Sequence, residues 1–176
     1  MNIIEIIPLI LLTIILLITT ISDIRTHKIP NYCTYPAIAI GIGYYTYMNG
    51  LHGFLFSLAG LFSGLFLLIL FYLKGGMGAG DVKLMGAVGV LLGPKGVFVA
   101  FLCTALIGGI YAVILLGLHG HLRESVKRYG TILKTSIFTR SLVYLPPANR
   151  VKMPVLPYGV SIALGTSLSV LRNVII

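Results

Sequence analysis

The sequence predicts an all-α integral membrane protein, a polytopic bundle of about six transmembrane helices. Apolar residues make up 57% of the 176 residues and charged residues only 10%, and the mean hydropathy is +1.02. A soluble domain has far more charged side chains with which to cover its surface. Several apolar runs also approach the roughly 17–25 residues that a helix needs to cross the hydrocarbon core. Lipid is therefore the predicted solvent for most of this surface.

Five apolar runs of near-spanning length and one shorter run account for the predicted helices. The longer runs are Ile3–Ile21, Tyr32–Met48, Phe54–Leu73, Val97–Leu118 and Pro154–Leu171. The shorter run, Asp81–Leu92, follows a glycine-rich stretch. Asn2 precedes the first run and Glu5 lies near its start, where a secretory signal would have basic residues. The first run is therefore interpreted as a retained helix.

Short connections between these runs indicate that residues 1–176 form a single domain. Tight turn signals at Asn49-Gly50 and at Gly93-Pro94 predict antiparallel helical hairpins. Glycines also recur at four-residue spacing, which allows two helices to approach closely in lipid. These pairs are Gly60 with Gly64 and Gly89 with Gly93.

The basic residues indicate how the chain is oriented. With the amino terminus on the outer side of the inner membrane, 11 of the 13 Lys and Arg residues lie at its cytoplasmic side. Only Lys95 and Arg172 lie at its outer side. An excess of basic residues in cytoplasmic loops is the usual pattern. The longest loop, residues 119–152, is strongly basic and is predicted to contact anionic lipid headgroups. This distribution explains the net charge of +9 without nucleic acid binding.

The cysteine content predicts neither a disulfide nor a metal site. Cys33 and Cys103 are the two cysteines, and they form no CxxC pair. No His and Cys residues are spaced as metal ligands. We therefore expect no metal and no cofactor.

Two of the four acidic residues stand where an apolar run meets a predicted cytoplasmic loop. The four are Glu5, Asp23, Asp81 and Glu124. An ionisable group at membrane depth is costly, which makes Asp23 and Asp81 functional candidates. Two carboxylates held close together share a proton. One can then act as a base toward water and the other as an acid toward a leaving amine.

Position alone leaves a structural role for both aspartates equally open. Asp23 could form an ion pair with Arg25 or Lys28, and Asp81 could be the N-cap of its helix. The 12 residues of Asp81–Leu92 span roughly 18 Å, however, against a hydrocarbon core of roughly 30 Å. Asp81 would then lie below the inner membrane surface.

The glycine run before Asp81 predicts a place for a peptide. Gly78 and Gly80 lack the Cβ atoms that keep another backbone away, so an extended peptide could lie beside the Asp81 carboxylate. Lys83, two residues later, is a candidate to hold a substrate carbonyl. A lysine at an inner boundary more commonly extends its ammonium toward the headgroups, and both interpretations of Lys83 stay open.

Three segments resemble the type IV prepilin peptidases, the bacterial GxGD aspartic peptidases. They are Asp23 followed by Ile29-Pro30-Asn31, the run Gly78-Ala79-Gly80-Asp81-Val82-Lys83, and Leu156-Pro157-Tyr158-Gly159 at the last helix. The resemblance covers most of the chain, except residues 119–152. It implies cleavage of the leader peptide of a prepilin-like protein, after a glycine, at the cytoplasmic face of the inner membrane. Asp23 and Asp81 would be the catalytic pair.

The resemblance also implies peptidase activity without methyltransferase activity. Larger members carry a cytoplasmic insertion with paired CxxC motifs that is linked to methylation of the new pilin amino terminus. This chain has no such motif, so it resembles the short peptidases of tight-adherence (Flp) pilus systems.

The main alternative is a proton- or cation-coupled transporter in which Asp23 and Asp81 relay protons or bind a cation. A transport path favours carboxylates at several depths, whereas both candidates here gather at one face. A membrane assembly subunit without chemistry would leave the glycine run unexplained. The sequence therefore favours the peptidase.

Overall fold

The computed structural model describes residues 3–118 and 158–175, and all secondary structure within these ranges is helical. Four helices follow one another along the chain: α1 (Ile3–Thr26), α2 (Asn31–Leu73), α3 (Ala79–Leu118) and α4 (Tyr158–Ile175). The predicted all-α fold class is confirmed. The predicted basic loop at 119–152 and the first residues of the run Pro154–Leu171 lie outside the described residues.

The described helices form a membrane bundle. Helices α1, α2 and α3 are each long and apolar enough to cross a membrane, and α4 contains a shorter apolar segment, Tyr158–Leu171. Large apolar side chains are more than half exposed on all four helices, as at Leu17, Phe62, Leu106 and Leu168. Such surface is unfavourable in water and is normal against lipid. The number of spanning helices, predicted to be six, stays a prediction.

Helix α2 consists of two limbs, residues 31–49 and 51–73, that meet at Gly50. Gly50 has φ 57° and ψ −136°, which breaks the helical geometry and favours glycine. The rings of Tyr45 and Phe56 lie 5.2 Å apart between centroids, although 11 residues of straight helix would separate them by roughly 16 Å. The chain therefore reverses direction here, as the Asn49-Gly50 signal predicts.

Helix α3 reverses in the same way between its limbs, residues 79–92 and 94–118. Gly93, at φ 71° and ψ 178°, interrupts the helix directly before Pro94. The first limb runs antiparallel to the second limb of α2, with residues 85 and 89 against Gly64 and Gly60. The second limb returns along α2, since the ring centroids of Phe71 and Phe101 are 6.4 Å apart. The predicted hairpin at Gly93-Pro94 is confirmed.

The first limb of α3 lies at the centre of the bundle. Nearly all of its residues from 81 to 91 are buried. Gly60 and Gly89 bring two backbones into contact, because a Cβ at either one would overlap the carbonyl of the other, and Gly64 packs in the same way on Met85. The close contacts predicted from the glycine spacing are therefore present at these positions.

The register of this contact sets the depth of Asp81. Gly64 lies against Met85, so in an antiparallel pair Asp81 is level with Leu68, which is 1% exposed. Helix α2 continues through residues 69–73, roughly 7.5 Å of helix. Asp81 thus lies deeper in the bundle than the end of α2 at Leu73.

Helix α4 packs antiparallel to the second limb of α3. Gly165 lies directly against Thr104, and Gly108 faces Ser161. Helix α1 contacts both α2 and α4. This arrangement brings the end of α1 to the start of α4.

Candidate active site

A cavity of about 310 Å³ lies where the end of α1 meets the beginnings of α2 and α3. Its lining consists of Asp23, His27, Lys28, Ile29, Asn31, Gly78, Ala79, Gly80, Asp81 and Lys83. The five site residues named from the sequence, Asp23, Gly78, Gly80, Asp81 and Lys83, are all among them. Residues from three separate segments of the chain thus share one surface.

Asp81 is 8% exposed and is the third residue of α3. Its Oδ2 atom accepts a hydrogen bond of 3.0 Å from the Gly78 amide, and its own amide donates to the Gly78 carbonyl at 3.2 Å. An acidic side chain at the third helical position that reaches back to the N-cap amide forms half of a capping box. Asp81 therefore does cap the helix, but Gly78 occupies the N-cap position considered for Asp81.

Asp23 is 5% exposed and lies near the end of α1. Its Oδ2 atom accepts a hydrogen bond of 2.8 Å from the amide of Gly159, at the start of α4. Arg25 and Lys28 are both exposed, and within the described part of the chain neither forms an ion pair with Asp23. The ion-pair alternative for Asp23 is therefore absent from the described residues.

The two carboxylates have matching environments. Each is buried, lines the same cavity and uses Oδ2 to accept a hydrogen bond from a glycine amide. Neither Oδ1 atom has a hydrogen-bond partner among residues 3–118 and 158–175. Two buried carboxylates at one cavity favour a state in which one of them carries a proton. The Oδ1 atom of each carboxyl group is then available to exchange a proton with water.

Lys83 is held by two residues of α2. Its Nζ atom donates a hydrogen bond of 3.0 Å to Asn31 Oδ1 and lies 5.1 Å from the centroid of the Tyr35 ring, a cation–π distance. These contacts join the start of α2 to the start of α3 and keep the ammonium at the cavity. Neither Asn31 nor Tyr35 was predicted from the sequence as a partner of Lys83. Asn31 is a polar residue directly after Pro30, at the start of an apolar run. This was the one feature of the sequence that pointed to a contact there.

Gly78 and Gly80 have different surroundings. Gly78 is exposed, whereas a Cβ at Gly80 would come within 2.8 Å of the Ile29 Cβ. Ile29 therefore occupies the space that the sequence analysis assigned to a peptide at Gly80. A Cβ at Gly78 would come within 3.3 Å of Asp81 Oδ2 and 3.9 Å of the Gly80 nitrogen, and Gly78 itself lines the cavity.

The loop after α1 is ordered by its own hydrogen bonds. The Lys28 carbonyl accepts a bond of 2.9 Å from Ser22 Oγ, and His27 has φ 50°, the left-handed conformation that often ends a helix. His27, Lys28 and Ile29 line the cavity, although none of them was predicted as a site residue. Their proximity to Asp23 in the chain and, for Ile29, its place in the Ile29-Pro30-Asn31 segment were the available signals. Among the described residues, no three His, Cys, Asp or Glu side chains are grouped as metal ligands.

The comparison with known families agrees with this geometry. A model of the type IV leader peptidase family matches residues 10–113. This range is more than half of the chain and includes Asp23, Asp81 and the glycine run, whereas Gly159 lies beyond it. No curated protein and no solved structure matches the chain. On the family match, the chain belongs to the type IV leader peptidase family.

Proposed function

We propose that this protein is a membrane aspartic endopeptidase that cleaves the leader peptides of type IV prepilin-like proteins with Asp23 and Asp81. Membership of the leader peptidase family supports a peptidase. The observation that carries the assignment of residues is the pair of buried carboxylates on one cavity, each with one oxygen bound to a glycine amide.

The proposed reaction is hydrolysis by a water molecule between the two carboxylates. The ionised carboxylate removes a proton from the water as the water oxygen attacks the carbonyl carbon of the scissile peptide bond. The protonated carboxyl group gives its proton to the leaving nitrogen as the C–N bond breaks. The products are a carboxylic acid and an amine, and the pair again holds one proton.

Three further residues support a peptide at this cavity. Gly78 leaves the backbone beside Asp81 accessible, while Gly80 allows Ile29 and its loop to close against α3. Lys83 places a cation at the cavity, where it can donate to a substrate carbonyl. We assign Gly78 and Lys83 to substrate binding, and Gly80 to the shape of the cavity wall.

The charge pattern supports the proposed location of the reaction. The basic residues of the sequence favour a cytoplasmic position for this end of the bundle in the inner membrane. Cleavage after a glycine, directly before the apolar segment of the pilin, would then occur where leader and membrane meet. The absence of CxxC motifs from the sequence favours a peptidase without methyltransferase activity.

The test is cleavage of purified prepilin precursors, including those encoded near the gene, by the wild type and by Asp23→Asn and Asp81→Asn. Each amide variant should lose at least a factor on the order of 10² in rate, since the amide cannot exchange the required proton. Mass spectrometry should locate the wild-type cut directly after a glycine.

Glu5→Gln is the matched control, because it makes the same chemical change 18 residues earlier on α1, roughly 27 Å along the helix. Its cleavage rate should equal that of the wild type. Normal processing by either aspartate variant would overturn the catalytic pair. Loss of the folded protein in both variants would instead indicate a structural role.

A further inference from the structure

The carboxylate of Asp23 is held by a residue far away in the sequence. The Gly159 amide donates to Asp23 Oδ2 at 2.8 Å, and 136 residues separate the two. Within the described part of the chain, Asp23 Oδ2 has this hydrogen bond and Asp23 Oδ1 has none. Gly159 also lies outside the segment that matches the leader peptidase family, residues 10–113.

Gly159 can make this contact because of its place in α4. It is the second residue of the helix, and amides in the first turn have no partner within the helix. A carboxylate there is further stabilised by the positive end of the helix dipole. The amide of Gly159 is therefore free to bind Asp23 without the loss of a helical hydrogen bond.

The absence of a side chain at this position is equally important. A Cβ at Gly159 would come within 2.8 Å of Asp23 Oδ2 and within 3.1 Å of its Cβ and Cγ atoms. Ordinary contacts of this kind are 3.4 Å or longer. Any residue other than glycine would displace the carboxylate from the amide.

We infer that Gly159 is a positioning residue of the active site, an inference that rests on the proposed catalytic role of Asp23. Its amide holds Oδ2, and this fixes the rotation of the carboxylate group so that Oδ1 remains free for water. Helix α4 thus completes a site whose other described residues all come from the family-matched segment. A carboxylate displaced by about 1 Å can lose on the order of 10² in rate.

The first test compares the same substitution at two glycines of α4. Gly159→Ala should lower kcat on the order of 100-fold with little change in KM, because the peptide still binds to Gly78 and Lys83. Gly165→Ala is the matched control, since its Cβ would meet the backbone of Thr104, roughly 9 Å along the helix from Gly159. It should reduce stability while kcat per folded molecule stays near the wild-type value.

The second test detects the hydrogen bond in the folded full-length chain in detergent. Only Gly130 and Gly159 directly follow a tyrosine, so labelling with carbonyl-¹³C tyrosine and ¹⁵N glycine leaves two amide signals by NMR. Asp23→Asn should shift the Gly159 signal, because the group that accepts the bond from its amide changes from a carboxyl group to a carboxamide. Gly130 serves as the internal reference, and Gly159→Ala assigns the signals.

The outcomes separate this inference from the proposed function. If Asp23→Asn abolishes cleavage while Gly159→Ala retains the wild-type kcat, the positioning role is overturned and the catalytic pair remains. Equal losses of kcat per folded molecule in Gly159→Ala and Gly165→Ala would also overturn it. If Gly159→Ala does not fold, the comparison of the wild type with Asp23→Asn still tests the hydrogen bond. Two glycine signals that are unshifted between these two proteins would refute it. Normal cleavage by Asp23→Asn would remove both proposals.

Discussion

The Nζ atom of Lys83 donates a 3.0 Å hydrogen bond to the Oδ1 atom of Asn31. This bond joins the first residue of α2 to the fifth residue of α3. Both residues line the cavity that also contains Asp23 and Asp81. The same Nζ atom lies 5.1 Å from the centroid of the Tyr35 ring. These two contacts hold the Nζ atom of Lys83 at the cavity.

Replacement of Lys83 by methionine should lower kcat/KM on the order of tenfold, mainly through KM. The variant keeps an apolar chain of similar length but loses a hydrogen bond from a charged donor, worth roughly 1.5–3 kcal/mol. Peptide cleavage at several substrate concentrations measures the effect. Lys95→Met is the control, because Lys95 is exposed and lies outside this cavity. An unchanged KM in Lys83→Met would exclude Lys83 from substrate binding.

Replacement of Gly80 by alanine should impair cleavage through the loop after α1. The new Cβ would approach the Ile29 Cβ to 2.8 Å, so residues 27–30 would move away from α3 and widen the cavity. We expect kcat/KM to fall on the order of 10- to 100-fold. Gly76→Ala, in the same glycine run, has only the Phe71 carbonyl at 3.5 Å and should cleave normally. If both variants were equally active, contact with Ile29 would not shape the site.

Replacement of Gly60 by alanine should destabilise the bundle without a direct effect on the chemistry. The Cβ would overlap the carbonyl of Gly89 and separate the second limb of α2 from the first limb of α3. Such overpacking typically costs about 1–3 kcal/mol. Thermal unfolding in detergent should show a lower Tm than for Gly43→Ala, where nothing lies within 4 Å of the added methyl group. A Tm equal to that of the control would show that the contact can relax.

The resemblance to the prepilin peptidases implies leaders that are basic before the cleaved glycine, and anionic lipid should assist their recognition. Residues 123–152 contain seven basic residues and one acidic residue, Glu124, so the protein itself repels a basic peptide there. Neutral replacements of the leader's basic residues should slow cleavage in anionic liposomes and much less in neutral detergent. Glu124→Gln should change little in either. A severe loss in Glu124→Gln, or an equal effect of leader charge in both environments, would favour direct recognition by the protein.

Local chain properties were sufficient to predict the fold class and to single out two carboxylates as candidates. Apolar length and composition depend only on neighbouring residues, and they predicted helices in a membrane. The reversals at Gly50 and Gly93 were likewise predictable, because glycine tolerates the backbone conformation that ends a helix. Asp23 and Asp81 became candidates because carboxylates are scarce and costly in so apolar a chain, and the resemblance to the prepilin peptidases favoured a catalytic role over a structural one.

The tertiary structure alone decided which residues support those carboxylates. Hydropathy reports that a helix is buried in lipid but not which helix lies beside it, so the contact between Gly159 and Asp23 could not be derived from the sequence pattern. The same holds for the contact of Ile29 with Gly80 and for the contacts of Lys83 with Asn31 and Tyr35. These contacts depend on the order in which helices pack, and in lipid that order is set by close backbone approach at small residues such as Gly60 and Gly89.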